Sequence, residues 1–253
     1  MTTALQAPPR RRDSANPWPS GVIVSGVIAW ITAVLVVDSG AGHDVQRALG
    51  AATWLVLSAV LLRESPLVRV QTAVVVVFAS LVEFTFSPLL GVYVYRFSNV
   101  PMYVPPGHGL VYLAALAIGR TAFVAARTRL CMALALALLG GYAAFGLFLA
   151  ARPDVLGAFW FLCLVAFMRW GPSPGLYVGA CVVVTYLELV GTRLGTWTWQ
   201  PHDPTGLVSI GNPPSGAAGG YGWFDLAALL AAPALLASLQ RVTAGRRRAR
   251  RTS

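Results

Sequence analysis

The chain has 253 residues, a mean hydropathy of +0.67 and a formal net charge of +10; 57% of its residues are hydrophobic and 11% are charged. A soluble domain of this length does not need so much apolar sequence, whereas a protein that crosses a membrane several times does. The composition therefore excludes an ordinary soluble enzyme and predicts an all-α, polytopic membrane protein.

Eight apolar segments follow one another along the chain, and each is predicted to be a transmembrane helix. They cover residues 21–38, 47–62, 67–86, 108–126, 130–150, 155–170, 174–192 and 220–240. All nineteen basic residues are arginines. With the N-terminus inside, fifteen of them fall on the cytoplasmic side and four on the outer side. This bias predicts a multi-pass protein of the cell inner (plasma) membrane with both termini in the cytoplasm.

Clusters of arginine at the two ends supply much of the positive charge. They lie in the predicted tails 1–20 and 241–253, the first of them at Arg10–Arg12. Such clusters bind either nucleic acid or anionic lipid, and next to apolar helices we favour membrane lipids and expect no nucleic-acid partner. The three cysteines lie inside apolar segments without the spacing of metal ligands, and we expect them to be small core residues.

Two stretches about 105 residues apart share one order of features. Each begins with a glutamate, Glu83 or Glu188, at the end of an apolar segment. A glycine, two aromatic residues spaced by two and an asparagine before proline follow in both. Segments two and six also resemble each other, in Leu49–Trp54 and Leu156–Trp160. We therefore predict a parallel 4+4 internal repeat with units at 21–128 and 129–240.

A glutamate inside an apolar segment is costly and marks a functional site, so the two stretches supply the predicted site residues. Carboxyl groups act as acids or bases where burial favours the neutral form, and histidine can shuttle protons. The catalytic candidates are Glu83, Glu188, Asp225 and His108. The candidates for substrate binding are Tyr93, Tyr95, Asn99, Trp197, Trp199, Asn212 and Trp223.

Each candidate also has a purely structural interpretation. The glutamates can cap helix ends, and Asp225 can stabilise the start of the last helix. The asparagines can set turns before proline, and the paired aromatics can form an interfacial belt. The connections 87–107 and 193–219, rich in Pro, Gly and aromatic residues, are expected to fold back over the outer helix ends.

No metal site and no cofactor are expected from the sequence. The histidines His43, His108 and His202 lie in three different segments, without a pair at the spacing of zinc ligands. Phosphate-binding and dinucleotide-binding glycine patterns are absent from the sequence, as is an aspartate-rich pair for Mg²⁺ on a diphosphate.

At these motifs the chain resembles the integral-membrane carotenoid-biosynthesis proteins that include the bisanhydrobacterioruberin-type carotenoid hydratases. It is also similar to the small membrane terpene cyclases, among them the heterodimeric-type lycopene cyclases. The matching residues of the first stretch are Glu83, Gly91, Tyr93, Tyr95, Val100, Pro101, Pro105 and His108. Those of the second are Gly195, Trp197, Trp199, Asn212, Pro214, Gly222 and Trp223. His108 stands where the family has tryptophan and Asn99 where it has glycine, which points to a distant branch with another substrate.

The resemblance implies seven or eight helices and a cofactor-independent enzyme that protonates an alkene of an isoprenoid, then hydrates or cyclises it. The expected partner is a lipid-soluble isoprenoid, and the expected reaction class is that of a hydro-lyase or a cyclase/isomerase. Two alternatives stay open. The first is a transporter or lipid-binding protein with an intramembrane acidic pair. The second is a scaffold, in which the two glutamates would point apart.

Overall fold

The computed structural model describes residues 18–249, with side chains described as far as residue 245. Arg10–Arg12 and most of the C-terminal arginine cluster therefore lie outside the described side chains. The helices are α1 Ser20–Gly40, α2 His43–Leu61, α3 Pro66–Phe84, α4 Val104–Gly119, α5 Ala122–Ala126, α6 Thr128–Phe148, α7 Val155–Trp170, α8 Pro174–Arg193 and α9 Ala217–Ala249. A π-helical turn covers Thr85–Leu89, and two strands, β1 Tyr93–Tyr95 and β2 Trp197–Trp199, complete the fold.

Every predicted apolar segment coincides with helix, the fourth being divided between α4 and α5. Within residues 18–249, five helices are long and apolar enough to cross a membrane: α1, α3 with its π-helical turn, α6, α8 and α9 as far as Gly245. The helices α4 and α7 are apolar but have only 16 residues each. The prediction of a helical chain with several helices able to cross a membrane is thus confirmed, and eight spans remain a prediction.

Local sequence explains where several helices begin and end. The Ser65 hydroxyl accepts a hydrogen bond from the Val68 amide at 3.3 Å and caps α3, whose first residue is proline. At the other end of α3, Pro88 lies inside the π-helical turn, and Gly91 follows with a φ of +63°. Proline cannot donate a helical hydrogen bond, and glycine accepts a positive φ without strain, so the chain leaves the helix here.

The helices α4 and α8 form the centre of the bundle. They pack against each other, α3 packs against both α4 and α9, and α8 packs against α9. The contact between α4 and α8 is close because Gly179 faces the backbone of Ala115, where an added Cβ would overlap the carbonyl group. Fully buried side chains fill the centre, among them Leu110, Tyr112, Tyr177 and Val183.

The two long connections meet in a two-stranded antiparallel ribbon. Tyr93 pairs with Trp199, Val94 with Thr198 and Tyr95 with Trp197. The aromatic pairs of the two sequence stretches are therefore direct cross-strand neighbours. Since successive residues of a strand point to opposite faces, the four rings lie on one face of the ribbon.

Candidate functional site

The aromatic face of the ribbon forms one wall of a cavity of about 260 Å³. The other walls come mainly from α1, α3, α4, α8 and α9. Most of the lining is apolar, and much of it is aromatic: Trp30, Phe78, Phe86, Tyr93, Tyr95, Tyr103, Trp160, Trp197, Trp199, Tyr221, Trp223 and Phe224. Three side chains with acid–base chemistry also line it, namely Glu83, Glu188 and His108.

Glu83, at the end of α3, accepts three side-chain hydrogen bonds. Its Oε2 accepts from the hydroxyls of Tyr93 at 2.8 Å and Tyr95 at 2.9 Å, and its Oε1 lies 2.8 Å from Nε2 of His108. The carboxyl group is buried, with a residue exposure of 6%. These three contacts fix the orientation of the carboxyl group at the cavity wall.

Glu188, near the end of α8, has different partners from those of Glu83. The indole nitrogens of Trp197 and Trp199 donate to its Oε2 at 3.0 and 3.1 Å. Within residues 18–249, no group donates a hydrogen bond to its Oε1. Gly191 lies next to the Trp197 ring so closely that a Cβ there would overlap it, which fixes the indole beside the carboxyl group.

His108 contacts the Glu83 carboxyl group and also the aromatic residues of α9. Its ring stacks on that of Tyr221 with centroids 5.0 Å apart, and it meets Phe224 edge-on at 5.5 Å. The residue is 5% exposed, and in the described part of the chain its Nδ1 has no hydrogen-bond partner. A carboxylate that holds one imidazole nitrogen leaves the other available for proton transfer.

The tyrosines that contact Glu83 lie in the ribbon, outside the helical spans. Burial raises the pKa of Tyr93 and Tyr95 well above the ordinary value of 10.0, and the nearby charge of Glu83 raises both further. Both hydroxyls therefore stay protonated and remain donors to the carboxylate across the physiological range.

The structure places Asp225 away from this cavity. Because α9 begins at Ala217, Asp225 lies two turns inside the helix rather than at its N-terminus, so the helix-start interpretation is wrong. The residue is 4% exposed and is not among those that line the cavity. A catalytic role for Asp225 stays a prediction, and the structure places the residue outside the cavity lining.

The two asparagines also lie outside the cavity lining. Asn99 donates from Nδ2 to Oε1 of Gln46 at 2.9 Å, while Oδ1 of Asn212 accepts from the Trp199 amide at 3.0 Å. Asn212 thus holds the ribbon, and substrate binding by either asparagine stays a prediction. Trp223 does line the cavity and is 48% exposed.

Two buried aspartates that sequence reasoning did not select hold the connections in place. Asp38 is 0% exposed and accepts hydrogen bonds from Nε2 of Gln46 and the hydroxyl of Tyr103, each at 2.9 Å. Arg96 approaches the same carboxyl group at 3.8 Å. Tyr103 lines the cavity, so Asp38 positions one of its walls.

Asp154 has the corresponding role in the second half. It caps α7 through the Gly157 amide at 2.9 Å and accepts from the Gly211 amide at 2.8 Å. The amide and hydroxyl of Ser215 also donate to it, at 2.6 and 2.7 Å. Asp154 directly precedes α7, and an aspartate just before an apolar segment is the cap signal that the sequence offered.

Among the residues that the structure describes, no three His, Cys, Asp or Glu side chains come together as a metal site would require. No family model, curated protein or solved structure matches the chain. The fold and the cavity alone define its class, a helical protein with five helices able to cross a membrane and a buried pair of glutamates.

Proposed function

We propose that the protein is a cofactor-independent integral-membrane enzyme that protonates an alkene of an isoprenoid or carotenoid-like lipid and so hydrates or cyclises it. The observation that carries this proposal is the pair Glu83 and Glu188, buried in one aromatic cavity with unlike hydrogen-bond partners. Two carboxyl groups in unlike environments can divide the roles of acid and base.

Glu188 is the proton donor in this mechanism. Its two indole donors both contact Oε2, which leaves Oε1 as the place for a proton. No arginine, lysine or histidine among the described residues forms an ion pair with it. A buried carboxyl group without a cationic partner is less costly as the neutral acid. Transfer of this proton to an alkene carbon gives a tertiary carbocation and leaves the Glu188 carboxylate.

Glu83 and His108 accept a proton in the second step. In cyclisation, a carbon next to the cation loses its proton to this pair and a new double bond forms. In hydration, a water oxygen attacks the cation and the proton of that water passes to the same pair. The 2.8 Å contact between Glu83 and His108 allows them to share the incoming proton. Release of that proton and uptake of one proton by the Glu188 carboxylate restore both groups for the next turnover.

The aromatic lining stabilises the positive charge between these two steps. The ring faces of the cavity carry negative electrostatic potential, and a cation within about 6 Å of a ring centroid is attracted to it. The rings of Trp160 and Trp199 meet at 76° with centroids 5.7 Å apart, so they present faces in two directions. A low-polarity cavity strengthens this attraction because water is excluded.

The two halves are proposed to be a duplicated four-helix unit, at 21–128 and 129–240, with both termini in the cytoplasm. The contact of α4 with α8 corresponds to that of α9 with α3, as expected for a two-fold relation. The hydrogen bonds of the paired aromatics to Glu83 and Glu188 also correspond. Equivalent contacts with different side chains, phenols in one half and indoles in the other, agree with divergence after duplication.

Lipid-extract mass spectrometry of cells with and without the protein tests the function. Wild type should convert an isoprenoid either to a product heavier by one water or to an isomer with a new retention time. Glu188→Gln and Glu83→Gln should insert and purify normally yet form no product. Asp44→Asn, an exposed carboxyl next to Arg47, is the matched control and should be fully active.

The opposite result is also informative. Full turnover by both glutamine variants would exclude the mechanism. Binding of an isoprenoid by wild type without any chemical change would instead favour the lipid-binding or transport alternative.

A further inference from the structure

A hydrogen-bonded polar group, the Asp38 cluster, joins α1 and α2 to the connection 87–107. It consists of Asp38, Gln46, Arg96, Asn99 and Tyr103. The Asp38 carboxyl group is central, since its Oδ2 accepts from the Tyr103 hydroxyl and its Oδ1 from Nε2 of Gln46, each at 2.9 Å. Nδ2 of Asn99 donates to Oε1 of Gln46, also at 2.9 Å. Nη2 of Arg96 lies 3.8 Å from Oδ1 of Asp38, so every member contacts another.

Two atoms of the Asp38 cluster have no hydrogen-bond partner within residues 18–245. They are Nε of Arg96 and Oδ1 of Asn99, and both are covered by neighbouring atoms. Buried polar atoms in proteins are nearly always paired with protein groups or with ordered water. One of these atoms is a donor and the other an acceptor, and their residues contact the same Asp38–Gln46 pair. A polar site of this kind is where proteins hold ordered water.

On one side the Asp38 cluster reaches the surface of the bundle. The Arg96 side chain is 24% exposed, and Asn99 is also partly exposed. Both lie in the turn that follows β1, and Ser98 between them is exposed. Asp38 and Gln46, by contrast, are 0% and 3% exposed. The cluster therefore extends from the surface to a fully buried carboxyl group.

On its other side the Asp38 cluster reaches the cavity. Tyr103 is both a member of the cluster and a lining residue. On α1, Asp38 follows the lining residue Val34 by four positions, and residues four apart share a helix face. On α2, Gln46 and the lining residue Thr53 belong to the same buried face. Both helices thus place the cluster directly beyond one end of the cavity.

Hydration requires water at the carbocation, but most of the cavity lining is apolar, and apolar cavities in proteins stay dry. We propose that the Asp38 cluster binds water and supplies it to the cavity at Tyr103. The binding of water is independent of the proposed enzymatic function. Its use rests on that function: the oxygen of the supplied water bonds to the cation, and the proton that this water loses passes to Glu83 and His108. No other reactant takes part.

Hydroxyl-radical labelling of the purified protein, with X-ray radiolysis and mass spectrometry, tests the site without any need for activity. Water bound next to a buried side chain produces radicals there and causes its oxidation. Tyr103 should be oxidised at least tenfold faster than Tyr112, a tyrosine outside the cavity lining that is also buried and donates to Oε1 of Gln71 at 3.0 Å. Equal rates for the two tyrosines would overturn the proposal.

The variant Asn99→Leu separates bound water from simple exposure of Tyr103. It removes the acceptor Oδ1 at similar side-chain volume and should slow the oxidation of Tyr103 at least threefold. The matched control is Ser98→Gly in the same turn, because Ser98 is exposed and has a φ of +56°, which glycine adopts without strain. This control should leave the rate unchanged, whereas an unchanged rate in Asn99→Leu would overturn the proposal. Circular dichroism and gel filtration identify a misfolded Asn99→Leu, in which case the comparison of Tyr103 with Tyr112 in wild type decides alone.

Product analysis gives a second, separable result. If wild type forms the hydrated product, Asn99→Leu should lower its rate of formation at least threefold, and Ser98→Gly should not. An unchanged rate in Asn99→Leu, or a wild type that forms only an isomer, would overturn the supply of water to the reaction. If wild type proves inactive on every isoprenoid tested, the proposed function fails, and the labelling still decides whether the Asp38 cluster binds water.

Discussion

Tyr93 and Trp199 are paired residues of one ribbon, with ring centroids 4.5 Å apart, yet they donate to different glutamates. Tyr93 donates to Glu83 and Trp199 to Glu188. A phenol can both donate and accept a hydrogen bond, whereas an indole only donates. The ribbon thus gives the two carboxyl groups chemically unlike partners while it holds both at one cavity.

Loss of one indole donor should slow proton donation by Glu188 with little effect on the fold. In Trp199→Phe the ring packing is largely kept, but the 3.1 Å hydrogen bond to Oε2 is lost. A hydrogen bond to a charged group contributes about 1.5–3 kcal/mol, so kcat should fall roughly tenfold to a hundredfold if the bond stabilises the carboxylate formed after proton transfer.

Steady-state kinetics on the isoprenoid identified by mass spectrometry measure this effect. Tyr142→Phe is a suitable control because Tyr142 lies on α6, which contributes nothing to the cavity lining within the described residues. Equal kcat in wild type and Trp199→Phe would show that the Trp199 hydrogen bond does not contribute to catalysis.

Replacement of Asp154 should destabilise the protein strongly. Its carboxyl group accepts three backbone hydrogen bonds and one from the Ser215 hydroxyl, all in a buried position. Asp154→Ala leaves those donors unpaired, at about 1–3 kcal/mol for each buried group, and also removes the cap of α7. The melting temperature in detergent should fall by many degrees, while the exposed Asp44→Asn should melt like wild type.

The raised pKa values of Tyr93 and Tyr95 predict an incomplete alkaline titration. In the folded protein these two hydroxyls keep their protons above pH 10, whereas in the unfolded chain they lose them near pH 10. Their contribution to stability is therefore complete below about pH 10 and is lost as the pH rises toward the folded-state pKa.

Tyrosinate absorbance measures this directly. All eight tyrosines of the chain should titrate in denaturant, and fewer should titrate near pH 10 in the folded state. Tyr93→Phe and Tyr95→Phe should leave the folded-state amplitude unchanged. A drop of that amplitude by one tyrosine in either variant would contradict the assignment.

A long-chain alkylammonium amphiphile should bind as a mimic of the carbocation. Aromatic faces attract cations, and a stable analogue of a transition state binds more tightly than the substrate. Tryptophan fluorescence should change on binding because Trp160, Trp197 and Trp199 line the cavity. The neutral alcohol of equal chain length is the control, and equal affinity for both amphiphiles would argue against charge stabilisation by the cavity.

Much of the helical plan could be predicted from the sequence because apolar runs are a local signal. Tyr93 and Tyr95 are two positions apart, and alternate residues of a strand share a face. Their common contact with Glu83 agrees with this spacing. The ribbon itself was not predicted, because pairing of Tyr95 with Trp197 joins residues about 100 positions apart.

The buried aspartates were missed for a related reason. Asp38 lies at the end of an apolar segment, where a polar residue is ordinary at a helix end. Its contact with Tyr103 forms only in the folded chain and has no local signal. The sequence predicts Asp225 at the start of the last helix, but α9 begins earlier, at Ala217. The small residues in its first turn pack against Trp160. Helix propensity is a property of the local sequence and does not predict that tertiary contact.

Trp223 lines the cavity and is 48% exposed. A ligand that passes this side chain would move from the hydrocarbon phase to the carboxyl groups without crossing water. Its partition coefficient, rather than its aqueous solubility, would then set its concentration at the site. The apparent KM would accordingly be a mole fraction in the bilayer, and dilution of the membrane with inert lipid would reduce the rate at constant bulk concentration.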